Sequence, residues 1–451
     1  MEILPSGLVS VTNISNISSS PDSGQIPAVG SQKLSFFDHF YVLAPPSKQL
    51  LFYRTEAAHL PDVVEKLKSA LSLTLHHFYP LTGMLTWSPE SSVLEIHYSE
   101  DSHGVVFVEA ECGADFERLV GEDVHDKDVF ADLVPALNFT EFPAPMISLQ
   151  VTTFAGSGIS IGITINHMAV DGQAYWNFVK SWAELCRTGE LVERPWLDRS
   201  IIKDPCHLSS LYLRTFAPTL PKLIRSGSLA SRASDLVRRN FILTSKDIKS
   251  LKERLMNHTT KGLVAVSSFV AVCAHAWACT AQARGVKDDE TTIFSFLADC
   301  RTRLNPPLPQ SYFGNAIKPC LVEAKGIELS NQEDGLMFAA TAIQKAVRKA
   351  LEDPLSNCNT WPVWVSKAFG PPSATIVNVY SSPRLQVYGA DFGWGRAERV
   401  ELLPTSRCGI MIFSDARDEG NVQVSMALPP SDMVRFFSLF MDGMEASSNK
   451  N

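Results

Sequence analysis

His167-Met-Ala-Val-Asp171-Gly172 places an imidazole and a carboxylate four residues apart. Imidazole titrates near neutral pH, so it is the side chain best suited to take a proton from an alcohol in a cell. The spacing alone carries little weight, because a chain with 11 histidines matches His-x-x-x-Asp by chance about once or less. A second copy does occur: His97-Tyr-Ser-Glu-Asp101, followed by Ser102 instead of glycine, in a polar stretch that reads as surface loop. Context separates the two. Residues 158–165 alternate Ile159, Ile161, Ile163 and Ile165 with Ser160, Gly162 and Thr164, the period of a strand with one apolar face. Beyond Gly172, Tyr175, Phe178, Val179, Trp182, Leu185 and Cys186 recur at helical spacing. The motif therefore occupies a strand-to-helix turn, where a rigid scaffold can present side chains to a cleft.

The elements around it mix strands and helices. Segments 34–42 and 49–53 read as strand or loop-to-strand, 60–78 as an amphipathic helix stopped by Pro80 and Gly83, and 105–108 and 147–154 as strands. Periodicity weakens over 191–234, where Pro195, Pro205, Pro218 and Pro221 recur, as in a long connection. Order resumes with a strand at 240–243, helices at 245–256 and 267–283 and a buried strand at 291–299. Segments 384–389, 408–414 and 422–428 alternate like strands, and 431–444 reads as a closing helix. This intermixing predicts an α/β class. The expected organisation is an N-terminal domain over 1–190, a crossover over 191–234 and a C-terminal domain over 235–451.

A chain of 451 residues with 45% hydrophobic content exceeds one core and predicts two domains. A net charge of −8 without a basic run argues against a nucleic-acid backbone or an anionic membrane as partner. The serine-rich start lacks a secretory h-region, and no apolar run approaches a membrane span. Nine scattered cysteines form no zinc-like pairs and fit reduced thiols in the cytosol. A soluble cytoplasmic monomer is the expectation, with no metal and no resident cofactor.

Four further segments matter together: Tyr79-Pro-Leu-Thr-Gly83, Asp299-Cys-Arg301, Tyr312-Phe-Gly-Asn-Ala316 and Asp391-Phe-Gly-Trp-Gly395. Their order and spacing, running from Phe36-Phe-Asp38 to the last helix, resemble the plant BAHD acyl-CoA-dependent acyltransferases. That family's signatures are His-x-x-x-Asp-Gly in mid-chain and Asp-Phe-Gly-Trp-Gly near the end. Tyr312–Ala316 and Ser382-Pro-Arg-Leu-Gln-Val-Tyr-Gly-Ala-Asp391 are most similar to the branch that acylates sugars on anthocyanins, flavonoids and other phenolic glucosides, although that branch often has cysteine at the position of Ala316.

The resemblance implies two similar chloramphenicol-acetyltransferase-like domains, each a mixed sheet flanked by helices, with a channel between them. It implies an acyl-CoA co-substrate, a small-molecule acceptor, and direct transfer of a malonyl or hydroxycinnamoyl group with His167 as general base. Asp171 has two readings. It could orient the imidazole, as the third member of a triad would, or turn away and pair with a buried arginine. The resemblance favours the second, with Arg301 as partner. Gly172 lets the chain turn into the helix, and Asp391, Gly393, Trp394 and Gly395 form a structural loop. Lys261, Ser267, Ser268, Ser382 and Arg384 are the implied CoA contacts, their hydroxyls and charges suiting phosphate oxygens. Rival readings keep the chemistry but take an aliphatic alcohol or a polyamine as acceptor, or make the chain a catalytically silent small-molecule binder.

Overall fold

The computed structural model describes residues 8–20, 29–55, 60–91, 93–99, 104–121, 127–204, 207–222, 236–257, 265–368, 375–403 and 407–448. Along the chain run β1 (Val9–Ile17), β2 (Val29–Lys33), α1 (Phe36–His39), β3 (Ser47–Arg54), α2 (Leu60–His77), β4 (Met84–Ser88), β5 (Val93–Ser99), β6 (Val105–Cys112), α3 (Phe116–Val120), α4 (Lys127–Asp132), β7 (Ala144–Pro145), β8 (Ile147–Phe154), β9 (Gly158–Ile165), α5 (Gly172–Thr188) and α6 (Leu208–Phe216). After these come β10 (Val237–Leu243), α7 (Ser245–Asn257), α8 (Ser268–Ala283), β11 (Thr291–Asp299), β12 (Ile317–Lys325), α9 (Gly326–Leu329), α10 (Gln332–Glu352), α11 (Trp361–Ala368), β13 (Thr375–Tyr380), β14 (Arg399–Leu402), β15 (Ile410–Asp415), β16 (Val422–Leu428) and α12 (Pro430–Ser448).

These elements form two compact units that are not continuous in sequence. The first takes the described residues within Met1–Ser226, Leu308–Ala316 and Leu385–Thr405, and the second those within Gly227–Pro307, Ile317–Arg384 and Ser406–Asn451. The spans expected from sequence, 1–190 and 235–451, are continuous. The difference arises because β14 pairs antiparallel with β3, which draws the Asp391–Gly395 segment into the first unit. Residues 191–222 also contribute there: α6 buries Leu208, Tyr212 and Leu213, and Trp196 bridges to Tyr312.

The first unit has a six-stranded sheet in the order β1-β6-β8-β9-β3-β14 and a four-stranded sheet β2-β5-β4-β7. The larger sheet is mixed, since β6 and β8 run parallel and the other neighbours antiparallel. Leu51, Tyr53 and the isoleucines of β9 join one core with α2 and α5, whereas Leu50 and Phe52 of β3 face a second core containing Phe116 of α3 and Phe130 of α4. All of β9 is buried, on both faces. Its small residues face packed chain: a Cβ at Gly162 would lie 2.1 Å from the Leu133 carbonyl oxygen, and Thr164 Oγ1 donates to the Pro135 carbonyl (2.6 Å).

The second unit is a mixed sheet too, in the order β10-β16-β15-β13-β11-β12, with β13 parallel to both β11 and β15. Phe294, Phe296, Val377, Phe413 and Val424 share a core with residues of α7, α8, α10 and α12. Buried almost all round, α8 matches its apolar sequence.

Two local expectations need correction. Segment 34–42 contains a helical turn, α1, because Ser35 and Asp38 form a reciprocal capping box. Segment 384–389 is not a strand but two short turns of helix, with Gln386 at φ 50°. In α1 the Asp38 carboxylate is buried and pairs with buried Arg199 (2.8 Å). Beside them His39 is buried as well, and desolvation pushes its imidazole down to about 4, so it is neutral there.

Breaking a buried pair from one side leaves an uncompensated charge. Asp38→Ala or Arg199→Met is expected to destabilise the protein by about 3–5 kcal/mol. In a double-mutant cycle monitored by denaturant unfolding, the double variant should lose less than the sum of the singles by about 1 kcal/mol or more. Additive losses would show that the two charges act independently.

Candidate active site

β9 ends at Ile165, and hydrogen bonds to the backbone fix the turn beyond it. Asn166 N donates to the Met146 carbonyl (2.8 Å), Ala169 N to the Asn166 carbonyl (2.9 Å), and Met168 N to Asn166 Oδ1 (3.0 Å). The loop is also held from outside. Asn315 Nδ2 donates to the His167 carbonyl (3.0 Å), and Arg199 Nη2 to the Ala169 carbonyl (2.7 Å). Both donors are anchored on Asp38: its Oδ1 accepts from Asn315 N (3.0 Å) and Nδ2 (2.9 Å), and its Oδ2 takes Arg199 and the Ser35 hydroxyl (2.7 Å).

The His167 ring is half-buried and stacks on Tyr41, with ring centroids 4.2 Å apart and planes 7° from parallel. Burial pulls its pKa below the ordinary imidazole value; its own backbone, Asp171, Asn315 and Asp38 pull it partly back. The net shift is downward, which favours the neutral imidazole, the form able to accept a proton.

Asp171 is buried and caps α5, its Oδ1 accepting from Ala174 N (3.0 Å) and its Oδ2 from Ala316 N (3.0 Å). One carboxylate thus fixes both the start of the helix and the end of the Tyr312–Ala316 segment. Arg301, expected to partner Asp171, belongs to the second unit. There it is fully buried, with Nη1 3.3 Å from Asp299 Oδ1. Gly172 gives the helix start its close approach to Leu385: a Cβ would meet that side chain at 3.0 Å.

The Asp391–Gly395 loop lies in the same unit as His167. Asp391 Oδ1 accepts from Gly393 N (2.8 Å) and Gly395 N (2.9 Å), and both glycines have positive φ, 107° and 85°. Phe392 is buried edge-on to Trp182 of α5 (5.0 Å) and Tyr53 of β3 (5.5 Å), and Trp394 stacks on it. This is the geometry of a packing loop.

Of the expected CoA contacts, Lys261 lies outside the described residues. Ser267 caps α8, accepting from Val270 N (3.2 Å), and neighbouring Ser268 lines a shallow depression with Ser245, Lys249, Lys252 and Gly420. Ser382 accepts from Arg384 N (3.3 Å) in a separate turn, where the Arg384 side chain is exposed. The four residues thus form two pairs on different elements of the second unit. His97 of the second motif copy is exposed on β5 and not in a loop, because Leu94 and Ile96 alternate with it into the core. Asp101 lies outside the described residues.

Four residues central to this geometry, Asp38, Tyr41, Arg199 and Asn315, were not singled out from sequence for any role. Asp38 offered one signal, a lone carboxylate within an apolar run. Arg199 offered none, because it falls in the stretch expected as a connection. Among the described residues, no cluster of three or more His, Cys, Asp or Glu side chains could hold a metal, and no helix is long and apolar enough to cross a membrane.

A family model described as the Transferase family matches residues 10–442. Phenolic glucoside malonyltransferase 1 of Arabidopsis thaliana is 30% identical over 441 residues, covering 91% of this chain and 93% of the relative. The malonyl-CoA:anthocyanidin 5-O-glucoside-6''-O-malonyltransferase of the same plant is 32% identical, covering 91% and 94%. Among solved structures, vinorine synthase superposes with a TM-score of 0.72 at 19% identity, covering 96% of this chain and 98% of its own, a likeness of fold. A family match over nearly the whole length, together with relatives of this identity and coverage, makes the chain a member of the Transferase family, the BAHD acyl-CoA-dependent acyltransferases.

Proposed function

We propose that this acyltransferase moves a malonyl group from CoA to a sugar hydroxyl of a phenolic or flavonoid glucoside, with His167 as the general base. The observation that carries the mechanism is an imidazole at a strand end, its pKa lowered by burial, on a loop whose carbonyls are pinned on both sides of Met168. The substrate class rests on the relatives, which are named for malonyl transfer to phenolic glucosides and to an anthocyanidin glucoside.

In this reading the imidazole takes the proton of the acceptor hydroxyl as its oxygen attacks the thioester carbonyl carbon. The tetrahedral oxyanion then collapses, the carbon–sulfur bond breaks, and CoA leaves as a thiolate that recovers the proton from the imidazolium. No covalent enzyme intermediate is needed. Asp171 acts as a brace, because both its oxygens accept backbone N–H groups at the positions that shape the loop. Lys261, Ser267, Ser268, Ser382 and Arg384 remain the candidate CoA contacts. We take the enzyme to work as a cytosolic monomer; the eight described cysteines are free thiols, as a reducing compartment would keep them.

His167→Ala is expected to lower kcat/KM by about 10²–10⁴-fold with the fold retained by circular dichroism. Undiminished turnover would refute the base assignment. Incubation of malonyl-, acetyl- and coumaroyl-CoA with phenolic glucosides, flavonoid glucosides and simple amines, read by product mass, should yield malonylated glucosides. Amide products alone would sink the sugar-hydroxyl assignment.

The pH dependence derives from the lowered imidazole pKa. The base form is present above that pKa and is lost as pH falls through it, so the acid limb of kcat/KM should lie below 6.5. A limb above that value that is absent from the rate of a pH-insensitive control step would contradict this.

A further inference from the structure

Building on the assignment of His167 as base, we propose that Tyr41 is a positioning residue for catalysis, its ring holding the imidazole plane and facing the imidazolium as the proton arrives. Tyr41 is 8% exposed, two residues beyond the end of α1, and its N–H donates to the Asp38 carbonyl (3.0 Å). Its ring lies 4.2 Å from that of His167 at 7°. Tyr41 meets Phe40 differently, edge-on at 85°, so the near-parallel planes belong to its contact with His167.

The parallel stack results from shared anchoring. The Asp38 carboxylate closes the capping box at the start of the short helix from which Tyr41 emerges, and the same carboxylate holds Asn315, which holds the His167 carbonyl. Two chains of bonds therefore run from Asp38, one to the backbone of each ring-bearing residue. A flat ring against one face of the imidazole blocks rotation about the Cβ–Cγ bond, the freedom that would swing the reactive nitrogen away from the acceptor. A π face also favours a cation over a neutral ring, which lowers the barrier to taking up the proton in a site that burial otherwise makes hostile to charge.

The charged groups that bear on His167 in this unit are Asp171 from the head of α5 and Asp38 from α1, the latter paired with Arg199. All three stay in place when only the Tyr41 ring is changed, so the test isolates the stack. Tyr41→Phe keeps the ring, and Tyr41→Leu keeps the apolar cover but removes the π face.

Tyr41→Leu should reduce kcat by about 10–100-fold with KM for acyl-CoA within about threefold, and should shift the acid limb of kcat/KM down by about half a unit or more. Tyr41→Phe should stay within about threefold in kcat with the limb unmoved. Equal losses in the two variants, or a Tyr41→Leu profile matching the parent, would overturn the proposal. If Tyr41→Leu melts well below the parent, Tyr41→Met serves as the ringless comparator, judged by the same two readouts. His167→Ala is measured alongside. If it stays active, the base assignment fails; if it is inactive while the ringless variant matches the parent, the proposal for Tyr41 alone fails.

Discussion

One buried carboxylate organises the first unit around His167. A charge in an apolar interior needs a partner, and His39, the neighbour of Asp38, is pushed to the neutral form by burial. Arginine, with its planar fork of donors, meets that need. Arg199 neutralises the carboxylate with one nitrogen and holds the Ala169 carbonyl with another. The ion pair therefore fixes a loop it does not itself belong to. Remove it, and both the supports of the His167 turn, Arg199 and Asn315, lose their common footing.

How much of this could be read from the sequence depended on whether the determining contacts were local. Strands β8, β9, β11 and β16 fall on the expected segments 147–154, 158–165, 291–299 and 422–428, because alternation along one strand already encodes which side is packed. The helical turn within 34–42 has a cause that is local too, a serine and an aspartate placed to cap each other, but apolar alternation masks it. At 384–389 apolar alternation has no partner strand, and the chain instead coils so that the Leu385 carbonyl accepts from Lys180 Nζ (2.7 Å).

The site divides along the same line. His167, Asp171 and Gly172 are neighbours in sequence and were legible as a motif. Asp38 and Asn315 also lie in segments that stand out, Phe36-Phe-Asp38 and Tyr312–Ala316, but their contacts were not legible, because Asn315 meets Asp38 across 277 residues and the His167 carbonyl across 148. Spacing rules have no purchase on such pairs. The small residues of β9 tell a similar story, since Gly162 is required by the Leu133 backbone lying against it and not by any turn of its own. Asp171 shows the reverse case, a motif residue that looked catalytic by spacing and whose oxygens hold backbone amides.

The pairing of β14 with β3 sets a timetable for the nascent chain. A ribosome releases β3 early, yet the strand that covers its free edge, Arg399–Leu402, emerges only after most of the second unit's sequence has been made. Residues 308–316, which carry Asn315, arrive late as well. During that interval the first unit presents an unpaired sheet edge and a His167 loop lacking one of its braces. Open edges are where growing chains find wrong partners, so the step most exposed to misassembly comes before the enzyme could acquire activity.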